Sequence, residues 1–401
     1  MKRILNKIES MNKKQECIVV ALLSFLIIFG VLLAMGTLTC GYHLVDDHDF
    51  LKWTYQLKTG KTTLIQLIRS VSKREFSNRY RPLYMVMRVL ICSVFGTNLT
   101  YYSLLKALET WLACIMLYYC GRLMKADKIC SFLFAIMSLL GYQSAVWWKL
   151  GTHEIQGTLF FAVGFYLMLK YLIKEKKSYA VFSLVIFLIM CNYKESYILL
   201  MPFLMLYVVY FDIQKRGGTV TWKSIGDGIR NRFWYLLCQG VIFAIIVLII
   251  VFFVGVNEYD MVGLDATVPL DNYIQAFKEA FAGDLKWYKR FGILFVAILL
   301  TYWNDLKKLW KEILLTIAFL LPQFVIYGQT GISERYILPS AIGFAMFFVI
   351  MVPRERFLSG KRQVIYFLGR GCGHNPGLLS NPIGGLYVFE RRTQTSNRFI
   401  A

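Results

Sequence analysis

Apolar residues in this chain come in solid runs and not in alternation. The runs cover about residues 17–38, 102–120, 129–148, 157–173, 178–191, 197–211, 235–256, 290–303, 313–327 and 336–352. A helix needs roughly 20 such residues to cross hydrocarbon, somewhat fewer where neighbours shield its ends. Backbone groups in lipid must be satisfied within their own segment, so each run is expected to be helical. A membrane-spanning barrel would show a weak two-residue alternation instead. The pattern therefore predicts an all-α, polytopic membrane protein of about ten transmembrane helices. One further segment, 83–96, is apolar but short and carries Arg88. It is expected to lie as a helix at the interface, with Arg88 reaching lipid headgroups or a phosphate.

Charge fixes the orientation of these spans. A net charge of +21 invites a nucleic-acid reading, but Lys and Arg sit mostly in short connectors and form no basic stripe interleaved with aromatics. Connectors 122–128, 174–177, 215–232 and 307–311 are basic, whereas 151–157 and 328–333 carry almost no Lys or Arg. The positive-inside rule then places both termini in the cytoplasm of a plasma-membrane protein. The expected organisation is a basic cytoplasmic segment 1–16, a transmembrane domain 17–352 and a poorly ordered cytoplasmic tail 353–401. Outer loops 39–101 and 257–289 are long, the first carrying interfacial helices and the second suited to a lid or binding loop. The first run has no small-residue cleavage site and reads as an uncleaved span. No internal repeat is evident, which gives an inverted-repeat transporter no support. The cysteines include no Cys-x-x-Cys pair, so neither a zinc site nor a disulfide framework is indicated, although Cys40 and Cys92 share the outer side.

The polar clusters that could carry chemistry fall on that outer side. Asp46-Asp47-His48-Asp49 crowds three carboxylates just after the first span. They need a cation, donors or a proton to persist there, and one of them could serve as a general base; equally, an Asp is a good helix N-cap. Arg79 and Arg81 lie close enough together to grip a phosphate, or to anchor in headgroups. Lys194-Glu195 stands between two short spans, where charge is costly unless it is paired or lies in a polar cavity. Glu334-Arg335 opens the last span, and Lys149 with His153-Glu154 follows the Trp147-Trp148 pair. No cofactor motif is evident. A divalent metal on Asp46 or Asp47 with His43, His48 or His153 is an option that no spacing specifies.

In the order of these motifs the chain resembles the membrane glycosyltransferases of the GT-C fold, in the protein O-mannosyltransferase-like and aminoarabinose transferase-like branch. The resemblance rests on Asp46-Asp47 after the first span, Arg81-Pro82-Leu83, Phe95-Gly96, Lys194-Glu195, and Glu334-Arg335-Tyr336 with Pro339. It implies transfer of a sugar from a polyprenyl-phosphate carrier to a glycan, lipid or protein acceptor on the extracytoplasmic face, with inversion. It further implies Asp46 as base with Asp47 assisting, and Arg79, Arg81, Lys194 and Arg335 around the carrier phosphate, close to Glu195 and Glu334. The Asp-His-Asp that follows the pair is not a general feature of that family. The alternative reading is a transporter or flippase for a lipid-linked saccharide.

Overall fold

The computed structural model describes residues 8, 10–39, 47–77, 79–148, 150, 151, 153–254, 269–281, 296, 306–330, 334–347 and 349. Among these, every regular element is helical. In chain order they are α1 (Lys13–Ala34), α2 (Asp47–Lys58), α3 (Leu64–Phe76), α4 (Pro82–Phe95), α5 (Leu99–Leu123), α6 (Lys128–Leu139), α7 (His153–Lys174) and α8 (Lys177–Cys191). There follow α9 (Glu195–Ile198), α10 (Met201–Lys215), α11 (Trp222–Asn231), α12 (Phe233–Phe253), α13 (Leu270–Phe281), α14 (Leu306–Thr330) and α15 (Leu338–Met346). Short 3₁₀ turns cover Tyr142–Trp148 and Glu334–Ile337.

Helix starts are written locally in the sequence. Asn12 and Gln15 exchange hydrogen bonds of 2.9 and 3.0 Å as a reciprocal cap for α1, and Thr63 with Gln66 does the same for α3. Pro82 opens α4, where a missing N–H costs nothing. Gly96 ends that helix at φ +59, a conformation that suits glycine.

Among the described residues, six helical stretches are long and apolar enough to cross a membrane: Lys13–Ala34, Leu99–Leu123, His153–Lys174, Glu195–Lys215, Phe233–Phe253 and Trp310–Gly328. Lys128–Leu139 and Lys177–Cys191 are apolar but shorter. The expected run 290–303 lies outside the described residues apart from 296. Large apolar side chains such as Leu22, Leu26, Val181, Phe182, Leu248 and Phe252 are exposed on the bundle's outside, a surface that suits hydrocarbon better than water.

At the centre of the bundle is α7, packed against α5 and α8 and touched by α10, α15 and, through Phe319, α14. Its interior is aromatic: Phe161 meets Phe319 edge-on with centroids 6.0 Å apart, and Phe203 meets Phe319 at 4.6 Å. Phe165 adds to this plug against Phe203 and Tyr207, and all five rings are buried. Gly164 lets α8 approach, since a Cβ there would sit 2.6 Å from a Phe187 ring carbon and 3.2 Å from Ile186.

Segment 39–101 is more than a loop. Helices α2, α3 and α4 build a second, smaller core from Phe50, Trp53, Leu67, Val71, Tyr84 and Val89, among others, which abuts the bundle through Tyr102 and Tyr193. The helix expected over 83–96 is α4. Cys92 within it is a free, buried thiol bonded to the Phe50 carbonyl, and Cys40 lies outside the described residues. The second long loop holds α13, which packs on α14 through Phe277 and Phe324.

Gly164→Ala should cost about 1–3 kcal/mol by overpacking the α7–α8 contact. Gly30→Ala on α1, with nothing within 4 Å of the added carbon, should be neutral or slightly stabilising. Thermal unfolding of the two variants in the same detergent checks this, and equal midpoints would contradict the packing described.

Candidate functional site: a buried ionic pocket at one end of the bundle

The pocket forms where α8 breaks. After Cys191, Asn192 and Lys194 leave helical geometry, Lys194 adopting an extended φ of −165° before the single turn of α9. The break exposes backbone groups, and α4 satisfies them: Leu83 N–H donates to the Asn192 carbonyl at 3.2 Å. The Tyr80 hydroxyl donates to Asn192 Oδ1, and Tyr80 N–H donates to Glu195 Oε1, both at 3.0 Å. Two helix ends distant in sequence thus cap one another.

Lys194 does not turn toward its neighbour Glu195. Its ammonium donates to Glu154 Oε1 at 2.7 Å and lies 4.1 Å from the Tyr336 ring centroid. Both partners are buried, and His153 Nε2 lies 3.3 Å from the same carboxylate oxygen. The imidazole in turn packs against Tyr84, centroids 4.6 Å apart. Among the described residues, Glu154 Oε2, His153 Nδ1 and Ser196 Oγ are buried with no hydrogen-bond partner. The adjacent carboxylate and imidazole thus hold polar capacity that the protein does not use itself.

Further cations converge on this point. Arg79 and Arg81 stand just before α4, and their charges, with those of Arg88 and Lys194, act on His153. Arg81 is bonded to Glu75 at the end of α3. Burial works against its charge, but Glu75, Tyr84 and Glu195 outweigh that and raise its pKa above the ordinary arginine value. It is therefore a fixed cation. Arg88 is not the snorkelling residue expected: it is buried, 3.3 Å from Asp49 and stacked over Phe50 at 4.7 Å and Trp53 at 4.9 Å. A weakly hydrated, planar guanidinium tolerates such a place where an ammonium would not.

The acidic cluster sits on the other side of Arg88. Asp47 opens α2 and is buried; Asp49 carries the ion pair. Asp46 lies outside the described residues. Glu334 and Arg335 fall in the turn Glu334–Ile337, which brings Tyr336 onto Lys194; their side chains are not among those described. So four of the eight residues picked from sequence (Arg79, Arg81, Lys194 and Glu195) gather around one pocket, while Asp47 is buried at the start of α2. Lys149 lies outside the described residues. Among those described, no three His, Cys, Asp or Glu side chains form a group able to hold a metal.

Sequence reasoning gave Glu154 too little weight and passed over Lys106 and Glu109. Lys106 donates to the Trp147 carbonyl, and Glu109 accepts from Gln156 at 3.1 Å. With Phe50, Tyr84 and Arg88 they line a cleft beside the pocket whose floor has room for about one water. The signal was present: two charges within the run 102–120, where ionisable groups are expensive and so mark function. A second, open and mostly apolar groove runs between α4 and α8, lined by Leu83, Val86, Leu188 and Ile189, and ends at Pro82 and Asn192 next to the cations.

Compared with known proteins, the chain matches no family model, no curated protein and no solved structure.

Lys194→Met should destabilise the fold by about 3–5 kcal/mol, because it strands the buried Glu154 carboxylate. Adding Glu154→Leu should recover most of that loss. Thermal unfolding of the single and double variants measures the coupling; additive losses would mean that the pair is not the unit described.

Proposed function

We propose that the chain is an integral-membrane glycosyltransferase that moves a sugar from a polyprenyl-phosphate carrier to a cell-envelope acceptor on the extracytoplasmic face. The observation that carries this reading is the convergence of Arg79, Arg81 and Lys194, drawn from distant segments, on one buried pocket with the Asp47–Asp49 helix start beside it. Fixed cations of this kind suit a phosphate that gains charge as it leaves.

In this reading Asp46 takes the proton of an acceptor hydroxyl, and Asp47 helps to orient it. The hydroxyl oxygen attacks the anomeric carbon from the face opposite the phosphate. The bond from that carbon to the phosphate oxygen breaks, its electron pair stays on the phosphate, and the configuration inverts. Arg79, Arg81, Lys194 and, from the turn at Glu334, Arg335 stabilise the departing anion. The apolar groove between α4 and α8 offers the carrier's tail a place that ends at those cations. About ten spans, both termini cytoplasmic and the pocket outside complete the arrangement.

The aromatic plug of Phe161, Phe165, Phe203 and Phe319 favours transfer over transport. A flippase needs a polar path from one side to the other, and these rings fill the interior next to the pocket.

The test is lipid mass spectrometry on cells lacking the protein, complemented with wild type or Asp46→Asn. A sugar-loaded polyprenyl phosphate should accumulate and be cleared by wild type alone, since loss of a general base lowers the rate by about 10²–10⁴-fold. A lipid pool identical in all strains would overturn the reading, and clearance by Asp46→Asn would remove that residue from its role.

A further inference from the structure

At the far end of the bundle from the Lys194 pocket, α11 is bound to its neighbours by one face only. Gly228 is buried there, 3.4 Å from Val209 by the position a Cβ would take. Asn231 donates to Asp212 at 3.3 Å. Arg216 pairs with Asp212 at 2.8 Å and with Asp227 at 3.5 Å. Arg232, between α11 and α12, pairs with Glu175 at 3.0 Å and with Asp212 at 3.5 Å. The acids at this end are thus engaged by Arg216, Arg232 and Lys215.

The opposite face has another character. Trp222 is 90 % exposed and Ile229 43 %, and the first turn of α12 adds Phe233 at 48 % and Trp234 at 74 %. Positions 222, 226 and 229 follow three- and four-residue spacing and share one face of α11. Lys223 and Arg230 stand exposed on α11, with Lys174, Lys176 and Lys177 exposed in the neighbouring turn. None of these five cations forms an ion pair among the described residues. An aromatic stripe flanked by unengaged cations, set at the end of an apolar helix long enough to span, is the composition of a helix lying in a membrane interface.

We propose that α11 is an in-plane anchor that binds anionic phospholipid headgroups through Lys223 and Arg230, with Trp222 and Ile229 sunk to the top of the acyl chains. Charge decides the occupant. With the local acids already paired, the outward field is positive, and an anionic lipid surface complements it while a zwitterionic one does not. The anchor fixes the α10–α12 end against its leaflet. It does so whether or not the chain transfers sugars.

Hydrogen–deuterium exchange on the full-length protein in nanodiscs tests this, comparing pure phosphatidylcholine with a mixture containing phosphatidylglycerol. Amides of residues 222–231 should exchange on the order of tenfold more slowly in the anionic discs, and Lys223→Glu/Arg230→Glu should abolish that difference. Unchanged protection of the α7–α8 peptides serves as the check that the variant is folded. Equal exchange of wild type in both compositions, or a difference that survives the double substitution, would overturn the proposal. Equal protection in detergent would do so too, because it would point to a protein contact.

Discussion

Lys194 crosses from the break after α8 to Glu154 at the start of α7, and that 2.7 Å contact ties together the parts of the molecule that matter. Neither charge can remain buried without the other. The break that frees Lys194 also frees the Asn192 carbonyl for Leu83 and presents Glu195 to the Tyr80 amide. Arg79 and Arg81, on the strand of chain leading into α4, are thereby delivered to the same place. The small α2–α4 core and the main bundle are joined at this point, so the pocket is both a structural seam and the most polar buried region near it.

The arrangement explains why a costly ionic cluster is kept. An apolar seam would hold α4 on α8 with less electrostatic penalty. What an apolar seam cannot do is receive an anion. Here cations from two distant segments face a carboxylate and an imidazole whose remaining polar atoms lack partners among the described residues. The proposed transfer uses that capacity from one side, while the aromatic plug of α7, α10 and α14 closes the bundle behind it.

Much of the helical framework could be read from the sequence because apolar runs of span length have few alternative fates. The starts of α1 and α3 are visible in Asn12-x-x-Gln15 and Thr63-x-x-Gln66. The importance of Arg79, Arg81 and Lys194 could also be read, since charge amid apolar sequence needs a reason. Their partners could not. Lys194 adjoins Glu195 in sequence, but an extended residue followed at once by a helical turn sends adjacent side chains to different neighbours. Arg88 was expected at the headgroups because burial in aromatics and pairing with Asp49 depend on how α2 folds onto α4, a long-range contact with no local signature.

Calorimetric binding of farnesyl phosphate and farnesol to the purified protein tests the central claim most directly. The pocket as described predicts that the phosphate binds at least about tenfold more tightly than the alcohol, and that Arg81→Gln removes the difference. Equal affinity for the two compounds in the wild-type protein would contradict the account, because the converging cations would then have no anion to hold.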